Sequence, residues 1–293
     1  MKTRSAFAPG HISGFFQPVT ESTNSNQIGS RGAGVCISDG ATAKVTITSS
    51  QKQKIHLDVN GKNGSFPVTL NAIKRVLGQE SVQVKANITL DLPVGQGFGM
   101  SAASSLSSAL AVADLIGKSR FEAIQAAHHA EVRYQTGLGD VCSAAVGGFE
   151  IRKKPGILPY GDIQKIEEKE DITLGIFPGS ISTRKILTNQ KKVDRISLIG
   201  SYCTDQVIKN PTVQSIMKYS YYFTKQTGLA PSTILSVLEY INNQTFASMC
   251  MLGHSIFMLR SSSEIEKYLS KQGIVLHTTV DVGGARLLNS SKK

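Results

Sequence analysis

Apolar and polar positions alternate with a period of two over residues 43–49, around Val45 and Ile47, and over 54–59, around Ile55, Leu57 and Val59. The same period recurs over 81–90, at Val82, Val84, Ala86, Ile88 and Leu90. It places one face of an extended chain inside, so each stretch reads as a half-buried strand. Residues 4–8 and 32–37, flanked by glycine, read as two further short strands. Elsewhere the period lengthens. Leu70, Ile73 and Leu77, with Gly78 behind them, predict a helix over 67–77. A helix of small residues follows over 101–116, closed by Gly117, and another covers about 120–134.

Between residues 150 and 170 the composition changes, with Arg152-Lys153-Lys154-Pro155-Gly156, Pro159-Tyr160-Gly161 and a charged run over 165–171. This stretch reads as a connection. Beyond it, strands at 172–177, 255–259 and 274–280 alternate with helices near 212–227, 231–241 and 262–271. Strands and helices in both halves define an α+β chain of two domains, 1–160 and 161–293.

Hydrophobic residues make up 40% of the chain and charged residues 18%, which marks a globular protein and excludes a disordered one. No apolar run approaches the roughly 20 residues of a membrane helix, and the first ten residues lack an apolar core of signal-peptide length. Cys36, Cys142, Cys203 and Cys250 form no Cys-x-x-Cys pair, so reduced, buried thiols in a cytoplasm are expected. The net charge of +11 creates a field that suits anionic small molecules. Nucleic-acid binding asks for basic residues gathered on one face, whereas here they are spread along the chain. The one aromatic and basic cluster, residues 218–225, fits an amphipathic helix packed through Val213, Ile216, Met217, Ser220, Phe223 and Thr224.

Candidate chemistry begins at Asp91-Leu92-Pro93-Val94-Gly95-Gln96-Gly97-Phe98-Gly99-Met100-Ser101-Ala102, where a strand runs into three alternating glycines that open the small-residue helix. Glycines let backbone amides approach a phosphate, and the helix N-terminus adds unpaired amides and the positive end of a dipole. The spacing is neither that of the Gly-Lys-Ser/Thr loop nor that of the dinucleotide fingerprint. Phosphate cradle and plain strand-to-helix turn both remain open. On the helix from Phe121, the positions Phe121, Ile124, His128 and Glu131 share a face, and Thr136-Gly137-Leu138-Gly139 then presents Asp140. Glu131 could ligate a metal and Asp140 could act as a base. A solvated helix carboxylate and an N-cap are the alternatives. His128 and His129 read as packing residues, since no third ligand stands at metal spacing.

Residues 8–16 (Ala-Pro-Gly-His-Ile-Ser-Gly-Phe-Phe), 93–103 and 281–285 (Asp-Val-Gly-Gly-Ala) resemble, in order, the three motifs of the GHMP kinase superfamily. With residues 30–34 (Ser-Arg-Gly-Ala-Gly) and 136–141, they are most similar to its archaeal pantoate kinase branch. The resemblance implies a two-domain α+β fold with the active site between the domains. It also implies MgATP-dependent phosphorylation of the 4-hydroxyl of pantoate on the way to coenzyme A. Pro93, Gly95, Gly97, Phe98, Gly99, Met100, Ser101 and Ala102 would hold ATP. Ser101 and Glu131 would meet magnesium, and Asp140 would act on the hydroxyl. His11, Ser13 and Arg31 would face the substrate, with Arg31 opposite its carboxylate. His11 stands where the mevalonate kinase branch carries lysine, and Met100 where many relatives have the first of two serines. A small-molecule substrate is then the expected partner, with no nucleic acid and no membrane, and a homodimer stays open. The alternatives are a kinase of the same superfamily acting on homoserine, mevalonate or shikimate, or a silent ATP- or RNA-binding protein.

Overall fold

The computed structural model describes residues 1–179, 186 and 188–289. Strands β1 (Lys2–Val19) and β2 (Gly29–Ser49) pair antiparallel and carry the first sheet. Strands β3 (Lys54–Val59), β4 (Lys62–Asn63) and β5 (Val82–Leu90) extend it in the order β1-β2-β5-β3-β4. β6 (Phe149–Lys154) pairs with the start of β2, and β7 (Asp162–Ile166) pairs with β6.

Two expectations change here. The short strands at 4–8 and 32–37 are parts of much longer ones. Pro9, Gly10 and Gly14 do not end β1, because register shifts at Pro9/Gly10 and Ser13/Phe15 absorb them as bulges. The charged connection at 150–170 likewise holds β6 and β7.

Helices α1 (Pro67–Leu77), α2 (Met100–Leu115) and α3 (Arg120–Tyr134) pack together, with α2 against β1 and β2. α2 is buried on all sides from Ala102 to Ala113. Its small side chains let neighbours approach, and most of its buried hydroxyls find partners: Ser105 donates to the Ala102 carbonyl, and Ser104 pairs with Thr69, while Ser108 is left without one. α3 opens on a capping box between Ser119 and Glu122. A short helix, α4 (Asp140–Val146), follows.

The second sheet runs β11-β8-β10-β9 and is antiparallel throughout, from β8 (Asp171–Ile176), β9 (Ala247–Met249), β10 (Ser255–Leu259) and β11 (Ile274–Thr279). β12 (Arg286–Leu288) returns to the first sheet beside β1. Among the described residues the second half also carries α5 (Gln190–Lys209), which packs on β1, β2 and β6, α6 (Val213–Thr227) and α7 (Ser232–Ile241), which pack on β9, and α8 (Ser263–Ser270), which packs on β11. α6 buries the face read from the sequence, from Val213 to Thr224. α5 was not legible, because its buried stripe of Ile196, Gly200, Cys203, Thr204 and Val207 is half small or polar. All four cysteines are buried and unpaired, and no helix among the described residues is long and apolar enough to cross a membrane.

The halves meet on β1. Phe15 and Phe16 pack their rings 6.4 and 5.8 Å from Phe223 of α6. Gly14 and Gly200 make this contact close: a Cβ on Gly14 would overlap the Ser220 hydroxyl, and one on Gly200 would overlap the Phe16 carbonyl. Gly200→Ala should therefore push α5 off β1 and destabilise the protein by about 1–3 kcal/mol, the usual cost of overpacking. Chemical denaturation would show the loss as a lower midpoint at an unchanged slope.

Candidate active site

The turn after β5 owes its shape to Gly95, Gly97 and Gly99, with φ of 83, 80 and 65°, a region that side-chain-bearing residues rarely adopt. Two of them also touch other backbone. A Cβ on Gly97 would sit 2.8 Å from the Cys250 carbonyl oxygen, and one on Gly99 would sit 2.9 Å from that of His11. The His11 amide donates to the Phe98 carbonyl at 3.0 Å, fixing the turn to β1. Gln96, inconspicuous in the sequence, fixes it to the second half. Its side-chain oxygen accepts from the His254 amide, its Nε2 donates to the Gly179 carbonyl, and its own carbonyl accepts from the Ser255 hydroxyl.

The α2 amide that donates to the Gly99 carbonyl is that of Ala103, so the amides of Met100, Ser101 and Ala102 precede the helix's own ladder. Met100 and Ser101 border a cleft of about 360 Å³. Ser13, Phe16 and Ser30 line it from the first sheet, residues 134–140 from the link between α3 and α4, and Met251 and Leu252 from the second half.

Asp140 borders this cleft, and a second carboxylate, Glu131, lies behind Ser101. Glu131 is 2% exposed and accepts a 2.5 Å hydrogen bond from the Ser101 hydroxyl. Burial pushes its carboxyl up to about 7; the nearby charge of Asp140 adds to the rise, and hydrogen bonds from Ser101 and Thr136 oppose it. Asp140 begins α4. Its Oδ2 and the Oε2 of Glu131 both border Gly137, where a Cβ would stand 2.5 and 2.7 Å from them. Hydroxyl and carboxylate oxygens beside open amides make the donor set that magnesium takes when phosphates complete its shell. Ser101 and Glu131 therefore fit the cation expected of them. A divalent ion would also offset the charge that burial holds protonated.

Behind Asp140 lies a row of buried charges. His11, 1% exposed, sits with Nδ1 2.7 Å from Asp140 Oδ1 and Nε2 2.9 Å from Glu150 Oε1. Arg152, 2% exposed, donates from Nη1 to Glu150 and, at 2.9 Å, to the Ser143 hydroxyl. Its Nη2 lies 3.3 Å from Ser13 Oγ. Its Nε is buried without a partner, and a Cβ on Gly139 would stand 2.7 Å from that nitrogen and 2.6 Å from Ser30 Oγ.

Ser13, Ser101 and Asp140 thus meet at one cleft, and Glu131 supports it through Ser101. Two expected substrate residues lie elsewhere. His11 is sealed beneath Asp140 and does not line the cleft. Arg31 also stands off it: on β2 opposite Gln17, it turns toward α5 and spends its donors on Asp205 (2.6 Å), Gln17 (3.0 Å) and the Lys153 carbonyl (2.9 Å). The arginine beside the cleft is Arg152, hidden in the sequence within a basic triplet that read as a connection. The signal was its place two residues after Glu150 on β6, where opposite charges share a face. The motif at 281–285 does not border the cleft either. Asp281 Oδ1 accepts from the Gly284 amide, and the Ala285 amide donates to the Ala144 carbonyl, which clamps the end of α4. His128 donates from Nε2 to the Ile28 carbonyl as a packing residue would, with burial pushing its ring down to about 4.

Residues 67–148, which carry the glycine turn, Glu131 and Asp140, match the family model of the GHMP kinases N terminal domain. The pantoate kinase of Methanocaldococcus jannaschii is 32% identical over 280 residues, covering 90% of this chain and 95% of the relative. That of Methanospirillum hungatei is 34% identical over 288 residues, covering 97% and 96%. The chain belongs to the GHMP kinase family, on the branch these pantoate kinases represent. Among solved structures, a phosphotransferase related to the CoA biosynthesis pathway superposes with a TM-score of 0.88 at 26% identity, covering 98% of this chain and 99% of its own. A homoserine kinase from Cytophaga hutchinsonii shares the fold with a TM-score of 0.69 at 15% identity, covering 98% of each chain.

The raised Glu131 carboxyl has a consequence for stability. A carboxyl that binds its proton more tightly when folded (about 7) than when unfolded (4.5) lowers stability as pH rises through that window. At pH 8 the cost is on the order of 3 kcal/mol, and it vanishes in acid below the unfolded value. Metal-free Glu131→Gln should melt several degrees above the parent protein at pH 8 and together with it near pH 4.5. Thermal melts in a chelator across that range measure the difference, and the same variant should lose phosphoryl transfer.

Proposed function

We propose that the chain transfers the γ-phosphoryl group of MgATP to the 4-hydroxyl of pantoate in coenzyme A synthesis. One observation carries this reading: Asp140 opens onto the same cleft as the free amides of the glycine turn, with the Ser101–Glu131 pair at their side. Such a reaction needs alignment and neutralisation of developing charge more than covalent chemistry. The amides between Gly97 and Ala102 would receive the phosphate oxygens at the positive end of α2. Magnesium held by Ser101 and Glu131 would neutralise charge on those oxygens. Asp140 would accept the proton of the attacking hydroxyl. Burial works against its charge, yet the hydrogen bond from His11 and the cations of His11 and Arg152 hold its carboxyl below the ordinary carboxylate value, so it stays an acceptor at neutral pH. Phe16, Leu138, Met251 and Leu252 supply apolar walls that displace water. The substrate carboxylate belongs on the polar floor of Ser13 and Ser30, next to the free Nε of Arg152.

ADP release from MgATP, compared across pantoate, homoserine, mevalonate and shikimate, tests the acceptor, and a preference for any of the last three would overturn the reading. Asp140→Asn should keep nucleotide affinity while turnover falls by about 10²–10⁴-fold. Arg31→Ala removes a half-exposed pair with Asp205 away from the cleft and should leave the KM for pantoate unchanged. Arg152→Lys, which replaces a planar fork by a single ammonium, should raise that KM.

A further inference from the structure

Resting on the reading of this cleft as a phosphotransferase site, we propose that Glu150 is a positioning residue for the reaction. From beneath the site it holds the His11 ring with a proton on each nitrogen, and through that ring it keeps Asp140 ionised and aimed. Glu150 is fully buried and does not border the cleft, so it can act on the chemistry only through its neighbours.

The geometry at His11 sets the protonation state. An ionised carboxylate only accepts hydrogen bonds, and a neutral imidazole has a single N–H. His11 lies within hydrogen-bond distance of a carboxylate at both nitrogens, Asp140 at 2.7 Å and Glu150 at 2.9 Å. A neutral ring would press a lone pair against one of them, whereas an imidazolium satisfies both. The charges then alternate from the cleft inward: Asp140 negative, His11 positive, Glu150 negative, Arg152 positive. Such a row sums to zero, the condition under which buried charges are tolerated.

Glu150 is the group that separates the two cations. Arg152 Nη1 lies only 3.4 Å from His11 Nε2, and Glu150 Oε1 receives both. Without that negative charge the two cations would face each other directly, and His11 would give up its proton. A singly protonated ring could still donate from Nδ1 to Asp140, so the orientation of the base would survive while its charge support would not. That separation of orientation from charge distinguishes the proposed role from a merely structural one.

Apart from Arg152, the surroundings give His11 no further ionised neighbour. Cys36 lies opposite it in the β1–β2 register, and burial, reinforced by the charge of Glu150, pushes its thiol up so that it stays neutral. Ser13 and Ser143 are neutral, and Glu131 faces Asp140 across Gly137. Gly34 makes the room: a Cβ there would stand 2.7 Å from His11 Nε2 and 3.0 Å from Glu150 Oε1. Burial pulls the His11 ring down, but the hydrogen bonds to Asp140 and Glu150 outweigh it and leave the ring above the ordinary histidine value. Burial pushes Glu150 up, and Arg152 and His11 bring it below the ordinary carboxylate value.

Nitrogen NMR of the histidine-labelled protein, with the His11 signal assigned by its loss in His11→Asn, reads the ring directly. In the unmodified protein at pH 7 both nitrogens should carry protons; a neutral ring there would overturn the proposal without any variant. In Glu150→Gln the ring should be neutral at pH 7, with its proton on Nδ1. The acidic limb of the kcat–pH profile should move upward by about 1–3 units, as expected when a carboxylate loses an adjacent cation. Turnover below that limb should fall about tenfold for each unit, with little change in KM. Glu150→Asp should restore part of the shift. An unchanged ring or an unmoved limb in a folded Glu150→Gln would sink the proposal. If the unmodified protein phosphorylated no acceptor, the functional reading would fall, while the ring signals from the same sample would still decide whether Glu150 sets the charge on His11.

Discussion

Four charged side chains in a row, half-buried Asp140 and fully buried His11, Glu150 and Arg152, impose the strictest condition on this fold, since each is tolerable only while its neighbour is in place. They come from three separate parts of the chain: β1, β6 and the start of α4. Bringing them together requires β6 to pair with the first residues of β2, where Gly34 faces Glu150. It also requires the bulges that carry β1 through Pro9 and Gly10 without ending it. Much of the sheet's irregularity is thus the backbone accommodating this row.

The chemistry depends on a second close approach, that of the two halves. Gly14 and Gly200 let α5 and α6 lie directly on β1, and Met251 and Leu252 then reach the cleft from the far side. A phosphoryl group can be handled in that space because its walls come from both sheets. The net charge of +11 adds a general attraction for a polyanionic nucleotide. On the proposed reading, specific recognition would fall to a few buried groups and to the amides of one turn.

The sequence made parts of this plain and hid others for physical reasons. Three alternating glycines before a small-residue helix have few uses, so the turn at Gly95–Gly99 stood out. Glu131 and Asp140 could be noticed because a helical face and a glycine pair presented them. Arg31 drew notice for the same reason, its flanking glycines, but glycine permits a reach without saying toward what, and Asp205 lies 174 positions away. Arg152 and Glu150 were hidden because charged residues on a strand ordinarily face water, and only pairing with His11, more than a hundred positions earlier, allows them inside. α5 escaped for a related reason: a helix that packs against backbone buries glycine, threonine and cysteine in place of leucine.

Gln96 gives the architecture a property beyond shape. Placed between two glycines of the phosphate turn, it is bonded to Gly179, His254 and Ser255, all in the second half. The turn and the seam between the halves therefore share one free energy. Whatever stiffens the turn must tighten the seam, and by reciprocity whatever loosens the seam must weaken the hold on a phosphate. The second half is in this sense an effector of the first, acting through the side chain and the backbone carbonyl of one residue.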